Sequence, residues 1–252
     1  MAIQQAFMVL GVVPPGYETY TNVGSYSFIV PPGFTEVSIV SVGGGAGGGG
    51  GYGSAGGGLV WSDNVSVTPG EVLDINVGAG GTGYSPSISG TPNQGQTTYV
   101  RRTNGEYLVK SYGGGAISED SLGGGGEFFS GNGRVLDGGD GEDTPPGQPT
   151  IPAQHSSTGS SFKSATWAGS SAPSGRGGGG TALISGTTGA DGGFYSGNTG
   201  AAGGRYGGGG AEGPAGVGNF GGTGGDGGVS IAWGAPYLIG DGFPRIDGNY
   251  ST

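Results

Sequence analysis

Glycine recurs at every third position through long stretches of this chain. Gly204, Gly207, Gly210, Gly213 and Gly216 keep that spacing, and after a shift so do Gly218, Gly221, Gly224 and Gly227. Gly186, Gly189 and Gly192 form a third set, and Gly197, Gly200 and Gly203 a fourth. Solid clusters stand at Gly43–Gly51 (interrupted by Ala46), Gly56–Gly58, Gly113–Gly115, Gly123–Gly126, Gly177–Gly180 and Gly207–Gly210. A threefold extended helix of the polyproline II type turns once every three residues and makes no internal hydrogen bonds. Its N–H and C=O groups point outward and need partners. Glycine on one face of such a helix lets a second backbone come close enough to bond to it. The pattern predicts a packed bundle of polyglycine helices.

Such a bundle is costly to order, because glycine loses more conformational freedom than any other residue. Fixing a backbone costs about 1–2 kcal/mol per residue, and each inter-helix hydrogen bond returns about 0.5–1.5 kcal/mol. Only cooperative packing closes that balance. Disorder is the competing outcome for a chain of low hydrophobicity. Two features oppose it: only 10% of residues are charged, and 12 Tyr, 9 Phe and 3 Trp are present. Collagen shares the period but needs long, strict, proline-rich Gly-X-Y repeats, and these runs are short and shift register.

Strand signals surround the glycine. Ser25–Val30 ends at the turn sequence Pro31-Pro32-Gly33, and Glu36–Val42 alternates with Val37, Ile39 and Ser41 on one face. Leu59–Val67 and Glu71–Val77 flank Thr68-Pro69-Gly70 as a hairpin or a corner. Thr97–Arg102 and Tyr107–Tyr112 flank Asn104-Gly105, a dipeptide favoured in type I′ turns. Gly228–Trp233 is a last strand, expected to pair with the early ones and close the domain. No window carries a helical period. The expected fold is all-β with little or no α-helix: a short β-strand scaffold plus a packed bundle of polyglycine or polyproline II-type helices. Its parts are an N-terminal docking segment (1–19), a strand-rich scaffold with the first glycine runs (20–112), a polyglycine bundle with loops (113–228), and a closing strand with tail (229–252). Within it, 142–174 reads as a long irregular excursion holding Pro145, Pro146, Pro149 and Pro152.

Charge and residue inventory narrow the function. A net charge of −10 with only 8 Lys and Arg disfavours nucleic acid and anionic membrane surfaces as partners. Cysteine is absent, so disulfides, thiolate chemistry and cysteine zinc sites are excluded. The apolar run Ala6–Val13 is too short to span a bilayer, and no basic residue precedes it. A sturdy extracellular-style protein without a secretory leader suggests release by cell lysis.

Residues 20–51, TYTNVGSYSFIVPPGFTEVSIVSVGGGAGGGGG, run from a strand through a Val-Pro-x-Gly turn into an alternating strand and then into polyglycine. The later VTPGEVLDINVGAGGTG adds a Thr-Pro-Gly-Glu turn, and GGDGGVSIAWG a closing strand. This ordered set, across roughly residues 20–234, resembles the glycine-rich domain of phage tail proteins. The polyglycine part is similar to the fibre-tip adhesins of T-even-like phages, without their long fibre-attachment domain. The resemblance implies a sandwich of polyglycine helices and variable segments that touch a host receptor.

Catalytic motifs fare poorly. The many GxGxxG strings lack the strand-to-helix context of a phosphate loop. His155 is the single histidine and sits in a Ser/Thr-rich stretch. Asp137, Asp140, Glu142 and Asp143 offer hard oxygens but match no calcium-loop spacing. No enzyme activity, cofactor or metal is expected. A hydrolase acting on surface polysaccharide is the weakest alternative, since no carboxylate pair stands out. The aromatics that interrupt the glycine, Phe128, Phe129, Trp167, Phe194, Tyr195 and Tyr206, are the candidate receptor-binding residues, with Phe220 beside them. The expected partners are other fibre or tail proteins, a bacterial surface glycan or outer-membrane protein, and further copies of the chain. The expected location is the virion, after synthesis in the host cytoplasm. A structural fibre or tail subunit without receptor contact is the alternative, with Ile3–Val13 and Pro236–Thr252 as docking segments.

Overall fold

A computed structural model describes residues 13–48, 54–84, 93–115, 124–136, 195–196, 199–200, 202–203, 206–207, 209–210 and 220–234. Twelve strands and no helix occur among them: β1 (Gly16–Tyr20), β2 (Gly24–Ile29), β3 (Glu36–Val42), β4 (Leu59–Ser66), β5 (Val72–Val77), β6 (Thr98–Arg102), β7 (Tyr107–Ser111), β8 (Gly126–Phe128), β9 (Asn132–Leu136), β10 (Tyr195–Ser196), β11 (Thr199–Gly200) and β12 (Gly228–Trp233). Two antiparallel five-stranded sheets form, with orders β1-β12-β3-β4-β9 and β2-β5-β6-β7-β8. The protein is all-β.

The two inner faces share one core. Val37, Ile39, Val60, Val65, Val229 and Ile231 come from the first sheet; Phe28, Leu73, Ile75, Val77, Val100, Leu108 and Val109 come from the second. Burying each such side chain contributes about 1.5–3 kcal/mol. A buried hydroxyl pair crosses between the sheets: Ser41 Oγ bonds Ser111 Oγ, which also donates to Ser41 O at 2.9 Å. β12 sits between β1 and β3, so the C-terminal strand does close the first sheet. Thr68-Pro69-Gly70 is a corner, because β4 and β5 lie in different sheets. Residues 16–19, assigned to the N-terminal segment by sequence, form most of β1.

The Asn104-Gly105 turn departs from the type I′ expectation. Gly105 alone is left-handed, at φ 93°, whereas type I′ requires positive φ at Asn104 as well. Gly105 N–H donates to Arg102 O and Arg102 N–H to Glu106 O, which is a three-residue loop with glycine at its left-handed position. Asn104 is released to use its side chain, whose Oδ1 accepts Glu106 N–H at 2.9 Å.

At one pole, three strand pairs run without a break into glycine. β3 continues as 43–48 and returns as 54–58 into β4; β5 continues as 78–84 and returns as 93–97 into β6; β7 continues as 112–115 and returns as 124–125 into β8. Segment 221–227 leads into β12. Hydrogen bonding in these segments rotates with a period of three. Gly43 and Ala46 donate to Gly58 and Ala55; Gly44 and Gly47 donate to Gln96 and Asn93; Gly45 and Gly48 donate to Gly225 and Gly222. The same segment accepts from Gly81 and Tyr84, from Gly114 and from Gly210. Segment 43–48 is thus ringed by six others, three accepting its N–H groups and three donating to its carbonyls.

That close approach requires glycine. A Cβ on Gly44 would fall well inside 3.0 Å of Ala79 O, one on Gly47 of Thr82 O, and one on Gly95 of Gly44 O. Residues 43–48, 54–58, 78–84 and 93–97 take part in this glycine packing together with residues from 113 onward. Its central segment belongs to the first glycine run, because that run extends the middle strand β3.

Candidate functional site

The outer faces of the two sheets differ sharply. On the first sheet, Val40, Val42, Leu59, Trp61 and Ala232 form a second buried cluster with half-buried Tyr206 packed on it. Asp63 lies on the same side, and burial raises its carboxyl above the ordinary range, partly opposed by a hydrogen bond from Ser38. Asp63 Oδ1 has no hydrogen-bond partner among the described residues. An irregularity in the β3–β4 pairing, with Val37 opposite Val65 but Ile39 opposite Ser62, puts Asn64 in the left-handed region at φ 55°. A cleft of about 290 Å³ opens there, between Phe34, Ser38, Asn64 and Gly234. Among the described lining residues Glu36 alone is ionisable.

The outer face of the second sheet is open and aromatic. Tyr99 and Arg101 of β6 stand opposite Lys110 and Tyr107 of β7, so ring and cation alternate across the pair. Tyr107 meets Tyr99 edge-on at 5.3 Å between centroids, and Phe129 at 6.1 Å with the planes 36° apart. Lys110 Nζ lies 5.2 Å from the centre of Tyr107 and 4.9 Å from that of Tyr112, while the Arg101 guanidinium lies 5.3 Å from Tyr99. Each such cation–ring contact contributes about 0.5–1 kcal/mol at an exposed site. Asp74 of β5 approaches Arg101 at 3.5 Å. Glu127 of β8 pairs across from Lys110. Phe129 is 52% exposed.

A bulge makes this face. Val100 pairs with Val109 but Arg101 with Tyr107, leaving Leu108 as an extra residue. Leu108 and Val109 are therefore both buried while Tyr107 and Lys110 both face outward. Simple alternation would have put Tyr107 and Val109 on one side. That is why Tyr99, Tyr107 and Tyr112 do not stand out in the sequence as a site.

Of the residues singled out by sequence, Phe129 joins this face. Phe128 is 40% exposed at the sandwich edge, in register with Val109. Tyr206 packs on the opposite outer face, and Tyr195 lies in β10, paired with β11. Phe220 is 42% exposed beside the glycine bundle. Trp167, Phe194, His155 and the acidic stretch 137–143 lie outside the described residues. Among the described residues no cluster of His, Cys, Asp or Glu could hold a metal ion.

A protein-family model described as a glycine-rich domain matches residues 20–234, and the chain belongs to that family. No curated protein matches the chain.

Proposed function

We propose that this member of the glycine-rich domain family is a non-enzymatic bacteriophage virion protein, a tail fibre or fibre-tip adhesin that binds a receptor on the host cell surface. One observation carries the reading: three strand pairs and β12 all join the glycine segments at the same pole of the sandwich. The exit residues Gly48, Tyr84 and Gly115 and the re-entry residues Ser54 and Asn93 are hydrogen-bonded within one lattice. Such a platform anchors every connection in a set place, which suits recognition by a rigid carrier. The six-neighbour bonding of segment 43–48 is what packed polyglycine II helices would make. The aromatic character of the outer face of the second sheet supports binding.

The test is direct. Labelled protein should bind host cells and block adsorption of the phage that encodes it, and antibody against it should decorate fibre tips in electron micrographs. Decoration of the shaft or tail body without cell binding would favour a structural subunit. Turnover of host glycan, abolished by a carboxylate substitution, would replace both with a hydrolase. Absence of the protein from particles ends the reading altogether.

A further inference from the structure

We infer that the open face of the second sheet is a carbohydrate-binding surface for an uncharged, extended glycan of flat pyranose units. Tyr107 and Phe129 stand 6.1 Å apart between centroids with their planes tilted 36° to one another, and this pair, with Phe129 half exposed, is the shelf of the proposed site. Tyr99 meets that shelf at 88° and stands as a wall along it. A pyranose with equatorial hydroxyls has an apolar C–H face that stacks on such a shelf, and its hydroxyl rim needs donors and acceptors at the sides.

The fringe supplies what the rim needs. The face carries the polar groups of Tyr99, Tyr107, Lys110 and Glu127 beside those rings. Arg101 Nε is buried 3.5 Å from Asp74 Oδ2, and its guanidinium lies 5.3 Å from the Tyr99 ring and holds the wall in place. Among the described residues the charges on the face balance: Arg101 and Lys110 against Asp74 and Glu127. That balance selects against a strongly acidic or basic ligand. Lys110 lies over the rings of both Tyr107 and Tyr112, so it covers one face of Tyr107 and leaves the other for a sugar. Rings with few rotatable bonds give contact area at low entropic cost, the property that makes tyrosine common in binding surfaces.

This assignment deepens the adhesin reading and rests on it for its biological sense. Its test, however, needs neither cells nor particles. Cellohexaose and chitohexaose are titrated separately into the full chain by calorimetry, with saturation-transfer NMR to map ligand protons. Saturable binding of at least one is expected, with transfer strongest at the ring C–H protons. Phe129→Ala should weaken it about tenfold or more. Tyr107→Phe should leave it within a few-fold of the parent, and Tyr107→Leu should not. Ile29→Ala, a change at a 64% exposed position on β2 of the same sheet, should leave it unchanged. Each variant must keep the parent's urea midpoint, and Tyr107→Leu against Tyr107→Phe carries the test if Phe129→Ala does not fold. Failure of both sugars to saturate at millimolar concentration overturns the assignment, as does binding that Phe129→Ala and Tyr107→Leu leave intact. Sugar binding by a protein that proves absent from particles would keep the assignment and remove only the adhesin reading.

Discussion

Replacing Gly44 with alanine should destabilise the protein far more than a methyl group ordinarily does. Gly44 sits in the central glycine segment, donating to Gln96 O at 3.0 Å and accepting from Gly114 N–H at 2.9 Å. The new Cβ would press on Ala79 O and on the neighbouring Gly80 N. Ala79 O already accepts Gln96 N–H at 2.9 Å, and Gly81 N–H two residues on donates to Gly45 O at 2.8 Å. Moving segment 78–84 outward enough to admit a methyl therefore strains about three hydrogen bonds. At about 1 kcal/mol each, more where a buried group is left unpaired, the loss is about 3–4 kcal/mol. Alanine lowers the entropy of the unfolded chain and returns about 0.4–1 kcal/mol. The net expectation is about 3 kcal/mol, a shift of roughly 1–3 M in the urea midpoint for ordinary m-values. Urea unfolding followed by the fluorescence of buried Trp61 measures it. Gly70→Ala is the control: no atom lies within 4 Å of its Cβ, and φ is +81°. Backbone strain alone should cost about 1–2 kcal/mol there. If Gly44→Ala costs less than about 1 kcal/mol, or less than Gly70→Ala, the claim that side-chain-free packing holds the bundle is wrong.

Three further outcomes follow from the sandwich. Ser111→Ala should cost about 1–2 kcal/mol by stranding the buried Ser41 hydroxyl, and Ser41→Ala/Ser111→Ala should cost less than the sum of the single changes in a double-mutant cycle. Asp63→Asn should raise the thermal midpoint at neutral pH: the folded-state pKa is raised by burial, so the carboxylate destabilises the fold progressively as pH rises from the unfolded pKa through the folded one. The advantage of the asparagine should shrink toward zero near pH 3, where the parent carboxyl is protonated in both states. Arg102 ion-pairs with Glu71 and Glu106 and donates to Ser66 O at 2.8 Å, tying its own loop to the Thr68-Pro69-Gly70 corner. Arg102→Lys, which lacks the planar fork, should lower stability by about 1 kcal/mol and lose less at high salt.

The strands with the clearest β signals were legible as written. Glu36–Val42 and Gly228–Trp233 coincide with β3 and β12, and Val37, Ile39 and Ser41 do share the inner face. Alternation of apolar and polar residues is a local property, and those segments carry it. β1, β8 and β9 went unread because GYETY, GEF and NGRVL hold too few inward apolar residues; partner strands, rather than their own pattern, make them strands. Glycine period predicted close backbone packing but not which run would stand at the centre. That place is decided by strand order, a long-range fact. The candidate face was hidden by the Leu108 bulge, which reverses the sides of Tyr107 and Val109 relative to simple alternation. Phe129 was visible because it interrupts glycine, yet its partnership with Tyr107 depends on that same bulge.

A lattice of nearly identical rungs has no zero point of its own. Sliding one glycine segment past its neighbours by a full turn would remake almost every bond, so the interior alone cannot tell the right alignment from its neighbours. The strands that enter it can, because each is keyed by side chains that fit only one way. The sandwich thus acts as an indexing clamp for the glycine lattice, and folding should proceed from the clamp outward. Lengthening a segment by three residues at its outer end should be absorbed easily, whereas adding one residue at the strand junction should misalign everything beyond it.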